Sequence, residues 1–214
     1  MIKSIRTLAV AGLFAMAATA QAAVGLFNTG VDALGNSLAD NATDTHYTVN
    51  AGTAFAATSA GGFPVTAGVW LADSGASAWI TPSTDTNGVW NGTYTYTTTF
   101  DLTGIDLTTA LIAGRISTDD QLTGITINGN AAAIPAALTS YSYWTNFSVT
   151  SGFVAGINTL SFSVLNNGGG PTGLRVEYTG NNFAAAVPEP TSYALALAGV
   201  ATAFLVLRRR GSRA

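Results

Sequence analysis

From residue 93 to residue 100 the chain alternates strictly between two kinds of side chain. Tyr94, Tyr96, Thr98 and Phe100 fall on one parity, and Thr93, Thr95, Thr97 and Thr99 fall on the other. Successive side chains of a β-strand point to opposite faces, so a period of two places the aromatic rings on one face and the hydroxyls on the other. A helix would scatter both sets around its circumference. The segment therefore predicts a half-buried strand, and the rest of the chain must supply the surface that covers its rings. The same alternation recurs at 159–165 through Leu160, Phe162 and Val164, and at 174–178 through Leu174, Val176 and Tyr178. Ile125 and Ile127 run into Asn128-Gly129, a pair suited to the positive φ angles of a tight hairpin. Shorter strands are expected at 47–50, 69–71, 78–81, 110–116 and 147–150. Gly- and Asn-rich loops separate them, such as Asn166-Asn167-Gly168-Gly169-Gly170-Pro171. No stretch of this region carries a capped helical period, and no repeat of solenoid length is visible. These features predict an all-β fold, a β-sandwich or jelly roll.

The two ends differ from this body. Lys3 and Arg6 precede an uncharged, mostly apolar run at 7–20 and the small-residue site Ala20-Gln21-Ala22. A basic start, a short apolar centre and an A-x-A site make a secretory signal over 1–22, with a helical centre too short for a permanent span and cleavage expected after Ala22. Such a segment implies the Sec translocon and signal peptidase as partners. At the other end, 184–214, Pro188-Glu189-Pro190 precedes an apolar stretch at 193–207 and a basic tail at 208–213 led by Arg208, Arg209 and Arg210. The prolines lack amide protons and favour extended neighbours, so the tripeptide should stay non-helical and accessible. The apolar stretch would form a short transmembrane helix, and the arginines would hold its end in the cytoplasm with the body on the far side.

A Pro-Glu-Pro tripeptide, a short apolar helix and a terminal arginine cluster, in that order, resemble the PEP-CTERM sorting signal. The resemblance implies recognition by an exosortase, a membrane enzyme with a cysteine active site that cuts near the tripeptide. It also implies a Gram-negative bacterium making exopolysaccharide, brief residence in the inner membrane, and then the cell surface or secretion.

Charge must be counted on the body alone. Six of the basic residues lie in the two end segments; 23–183 keeps Arg115 and Arg175 against nine aspartates and Glu177, a formal net charge of −8. Such a surface repels phosphate backbones, so nucleic acid is not an expected partner. The chain has no cysteine, so its fold must rest on a packed core rather than on disulfides.

The order of elements within the body resembles galactose-binding-like jelly rolls, including the sugar-binding modules attached to glycoside hydrolases. The residues that carry the likeness are Tyr94-Thr95-Tyr96, Gly114-Arg115-Ile116, Ile125-Thr126-Ile127-Asn128-Gly129, Gly156-Ile157-Asn158-Thr159-Leu160 and Gly173-Leu174-Arg175. The likeness spans about 93–180; the strand pairing of 23–91 stays open. Folds of this kind often carry a structural Ca²⁺ at a loop, so the resemblance implies that such an ion is possible here; no other cofactor is expected.

The catalytic inventory is thin. His46 is the only histidine, and no Cys, body Lys or Gly-x-Ser-x-Gly elbow accompanies it. It is expected to hydrogen-bond near a strand start with Asp44 as partner, while Glu177 is expected to pair with Arg175 at the surface. Sugar sites combine an aromatic platform with polar groups. Trp90 and Trp144 lie in polar, loop-like contexts and are the candidate platforms, with Arg115, Asp119 and Asp120 as polar partners; Trp70 and Trp79 sit in apolar segments and read as core. Hard oxygen ligands suit Ca²⁺, and Asp32, Asp40 and Asp44 are the candidate ligands, although no EF-hand spacing is present. The reading that fits best is an exported, exosortase-sorted surface or matrix protein whose sandwich binds, or packs among, exopolysaccharide, as in a biofilm. A self-associating matrix protein without a ligand site and a carbohydrate-active enzyme are the alternatives.

Overall fold

A computed structural model describes residues 25–135 and 139–185. The expected signal segment with Ala20 and Ala22, and the C-terminal segment with Pro188, Glu189, Pro190, Arg208, Arg209 and Arg210, lie outside the described residues. Among the described residues no helix is long and apolar enough to cross a membrane.

Among the described residues ten strands form: β1 (Thr43–Val49), β2 (Gly52–Ala57), β3 (Trp79–Thr81), β4 (Gly92–Asp101), β5 (Leu111–Asp119), β6 (Gln121–Ile127), β7 (Asn130–Ala132), β8 (Thr145–Val149), β9 (Ile157–Asn166) and β10 (Gly173–Asn182). They join one sheet in the order β7-β6-β9-β4-β1-β2-β3-β10-β5-β8. The sheet folds over on itself, so that β5 packs against β9 while pairing with β10 and β8. Across the interior, Phe147 of β8 meets Phe162 of β9 edge to face at 5.5 Å. The segment that follows β7 faces the edge strand β8 across a cleft of about 330 Å³ lined by Ala133, Ile134, Pro135, Asn146, Phe147 and Ser148. The fold is thus an all-β jelly-roll sandwich that nearly closes into a barrel.

The alternation of β4 becomes packing through its register with β9. Tyr96 opposes Phe162 and Thr98 opposes Leu160, all four buried. On the other face the hydroxyls of Thr97 and Ser161 pair at 2.9 Å and those of Thr95 and Ser163 at 3.3 Å. Cross-strand pairs of like polarity are what hold a sheet in register, because a slip of one residue would turn every ring outward. Asn128-Gly129 closes the β6–β7 hairpin with φ of 52° and 79°, both in the left-handed region that this turn requires. Asn128 also reaches across the sheet. Its Nδ2 donates to Asn158 Oδ1 and its Oδ1 accepts from the Thr159 amide, both at 2.9 Å. Asn158 is fully buried and clasps the turn before β9 by donating to the Val154 and Gly156 carbonyls and accepting from the Val154 amide.

The N-terminal third differs from expectation in two places. Residues 69–71 form no strand: Gly68 has φ 69°, the chain turns, and Trp70 is buried beside Trp79 with ring centroids 4.3 Å apart. A strand appears instead at β2, which is rich in Ala and lacks strand propensity. It is held by pairing with β1 and β3, and its Ala54, Ala56 and Ala57 are small enough to sit buried there. Thr29 completes this region, its amide donating to Val176 O at 3.1 Å and its carbonyl accepting from the Ala78 amide at 3.0 Å.

Candidate functional site

Antiparallel pairing places the starts of β4, β6 and β10 and the ends of β5 and β9 at one end of the sandwich. Trp90 stands just before β4 and is 83% exposed, a large apolar ring left in solvent. Its backbone, not its ring, is held: the Trp90 carbonyl accepts from Asn166 Nδ2 at 3.0 Å and from the Tyr94 hydroxyl at 2.9 Å. The following residue, Asn167, donates its amide to Asp120 Oδ2 at 2.6 Å. Asp120 in turn borders an open cavity of about 220 Å³ with Gln121, Thr139, Ser140 and Tyr141. Residues 139–141 are pinned there because Thr139 Oγ1 accepts from Thr118 Oγ1 and from the Leu122 amide, and Ser140 O accepts from the Ser117 hydroxyl. Thus Trp90, Asp120 and Tyr141, far apart in sequence, share one end. Tyr141 was not singled out from the sequence; its only signal is a short Tyr/Ser run, Tyr141-Ser142-Tyr143.

Asp119 is not among the residues that line this cavity. It is buried, and its Oδ2 accepts from Trp70 Nε1 at 2.6 Å. Burial pushes its carboxyl up to about 7; the Trp70 hydrogen bond opposes that shift and neighbouring Asp120 reinforces it. Its side chain anchors the Trp70–Trp79 cluster rather than lining the cavity.

The two arginines form a second centre. Glu177 and Arg115 are register partners on β10 and β5. Arg115 Nε donates to Glu177 Oε2 at 2.8 Å, with a second bond from Nη2 to the same oxygen. Ser77 donates to Glu177 Oε1 at 2.6 Å, and Arg175 Nη2 lies 3.6 Å from that oxygen. Burial opposes ionisation of Glu177, but the bonds from Ser77 and Arg115 outweigh it and hold the carboxyl below its usual range. The expected surface pair of Arg175 and Glu177 is therefore corrected. Both side chains are buried, Arg175 donates to Ser77 Oγ and O, to Ser74 Oγ and to the Ala72 carbonyl, and the closer partner of Glu177 is Arg115. Small residues at 72–77 let the loop close over β10 and take the guanidinium. Trp144 lies on this network, 4.6 Å from the Arg115 guanidinium carbon and 4.9 Å from that of Arg175.

The other candidate aspartates, Asp32, Asp40 and Asp44, are each engaged by neighbouring donors. Asp32 accepts from Asn36 Nδ2 at 3.1 Å and from the Asn36 and Leu34 backbone amides, which hold its carboxyl low. Asp40 accepts from the Thr58 amide at 2.8 Å and from Asn41 Nδ2 at 2.9 Å. Asp44 is buried between the Gly30 and His46 amides at 2.7 and 2.8 Å, and desolvation raises its carboxyl despite them. His46 keeps the expected neighbour, Asp44, with Nδ1 at 3.6 Å, but its closer bond is to Val31 O at 3.1 Å, and its ring stacks on Phe27. Among the described residues no group of three or more His, Asp or Glu gathers as a metal site, and Asp32, Asp40 and Asp44 do not fit a shared Ca²⁺.

Residues 186–210 match the PEP-CTERM protein-sorting motif, the mark of an exported protein that passes through the membrane to the cell surface. No curated protein matches the chain. Two solved structures are similar. One is the native structure of a family 35 carbohydrate binding module from Clostridium thermocellum, with 15% identity, a TM-score of 0.38, and 64% of this chain and 98% of that chain covered. The other is a family 35 carbohydrate binding module from an environmental isolate, with 14% identity, a TM-score of 0.30, and 79% of this chain and 96% of that chain covered.

Proposed function

We propose that the protein is exported through the Sec translocon, freed of residues 1–22 by signal peptidase, processed by an exosortase at its C-terminal motif, and then binds extracellular polysaccharide without turning it over. The observation that carries the binding part is that exposed Trp90 and the Asp120–Tyr141 cavity lie at the same end of the sandwich. A pyranose ring offers one apolar face and a rim of hydroxyls; a solvent-facing indole takes the face, and Asp120, Gln121, Thr139 and Ser140 can take the rim. Two features support the absence of catalysis. The one histidine holds a loop, and the buried carboxylates Glu177 and Asp119 are engaged by arginine, serine and tryptophan rather than presented to solvent.

The test is retention of the purified chain on the exopolysaccharide of its own host, with and without added Ca²⁺. Retention that falls about tenfold or more in Trp90→Ala supports the reading. No retention under either condition removes polysaccharide binding, and release of reducing ends from the same polymer would return the protein to the enzymes.

A further inference from the structure

The sandwich holds its chain almost up to the sorting motif. After β10 ends, Phe183 packs against the core, its ring centroid 6.3 Å from that of Phe100. The Ala184 carbonyl accepts from the Asp106 amide at 2.8 Å, and Ala185 forms an antiparallel bridge with Ile105. The motif begins at residue 186, so no spacer separates it from the docked segment. From Ala185 to Pro188 an extended chain spans at most about 10 Å. A body of this size has a radius of gyration of about 15 Å. An enzyme that takes a peptide as an added strand needs free main-chain amides and carbonyls on both sides of the bond it cuts. Those upstream of the motif are spent on Ile105 and Asp106.

We propose that residues 183–185 are a docked strap, part of the signal that the processing enzyme reads, and that the strap must leave Phe100, Ile105 and Asp106 before the motif can be cut. This rests on the reading of residues 186–210 as a processed signal. Cutting then follows the small population of chains whose strap is open, because opening and closing are fast beside the enzyme's step. The strap lies at the ends of β4 and β10, opposite Trp90 and about 30 Å from it along the ten residues of β4. Whatever the body is attached to after processing, the aromatic end points away from it.

The chain has no cysteine, so a single engineered disulfide can lock the strap without competing partners. In the full-length chain, Ile105→Cys with Ala185→Cys joins two residues already paired across the bridge. The conversion of precursor to mature protein is followed in the producing cells by pulse-chase and intact mass. The locked form should accumulate as precursor and be processed once reductant is added. Phe183→Ala, which removes the ring contact, should speed processing of the otherwise unchanged chain about tenfold. Processing of the locked form at the parent rate, while Pro188→Ala with Pro190→Ala is left uncut, overturns the strap and leaves the sorting reading standing. If the proline variant is also cut normally, the sorting reading fails and the strap with it.

Discussion

Removing Glu177 should cost more than removing any exposed charge on this molecule, and the structure says why. Its carboxylate takes hydrogen bonds from Ser77 and Arg115 and is the nearest counter-charge to Arg175, which is only 2% exposed. Truncation in Glu177→Ala leaves a buried guanidinium facing a void, and losses from breaking buried ion pairs run to about 3–5 kcal/mol. Glu177→Gln keeps the volume and an acceptor for Ser77 but removes the charge, so about half that loss is expected, in line with charge-assisted hydrogen bonds of about 1.5–3 kcal/mol. Arg115→Ala should cost less, about 1 kcal/mol, because its side chain is 41% exposed and water screens the pair. Urea unfolding at pH 7 measures all three, with an unchanged slope showing that the denatured state is not the cause. The sign with pH is also set. The Glu177 carboxyl is depressed in the fold, so its contribution is whole above the ordinary glutamate range and fades as pH falls through the lowered folded value. A Glu177→Ala protein within 1 kcal/mol of the parent, or one whose deficit persists unchanged into acid, would refute the argument.

Asp119 should behave in the opposite sense. Its carboxyl is raised to about 7 in the fold, so its contribution is full below about pH 4 and is lost as pH climbs towards 7. Asp119→Asn, which keeps an acceptor for Trp70, should gain stability over the parent between these limits in thermal unfolding; a pH-independent difference would speak against a buried carboxyl there. Trp90→Ala should leave unfolding within about 0.5 kcal/mol of the parent while weakening polysaccharide retention, because the ring packs on little and faces solvent. Asn158→Ala should cost about 2–4 kcal/mol, since its buried amide serves Val154, Gly156 and Asn128 at once, and hydrogen exchange should show the turn before β9 opening first.

What the sequence determined by itself is local and periodic. Alternation located β4, β9 and β10, and the Asn128-Gly129 pair located the β6–β7 hairpin, because backbone pleat and turn geometry depend on residues two or three apart. Trp70 and Trp79 were legible as core from their apolar neighbours. The sorting motif was legible for the same reason, since its tripeptide, apolar run and arginines are contiguous in the chain.

Only the tertiary structure decided the rest. β2 exists because β1 and β3 offer it hydrogen bonds on both sides, which outweighs the weak strand preference of its alanines. Glu177 and Arg175 share a parity on one strand, and that parity could not say whether their face met water. The loop at 72–77 closes over it, and a pair that looked superficial became a buried centre tied to Arg115. Trp90, Asp120 and Tyr141 share one end only because β4 and β6 start where β5 and β9 finish, and Ala185 meets Ile105 only because β4 and β10 finish at the opposite end. Local preference acts along the chain, while the burial of charge and the meeting of distant loops are set by which strands pair, a choice made by the whole core at once.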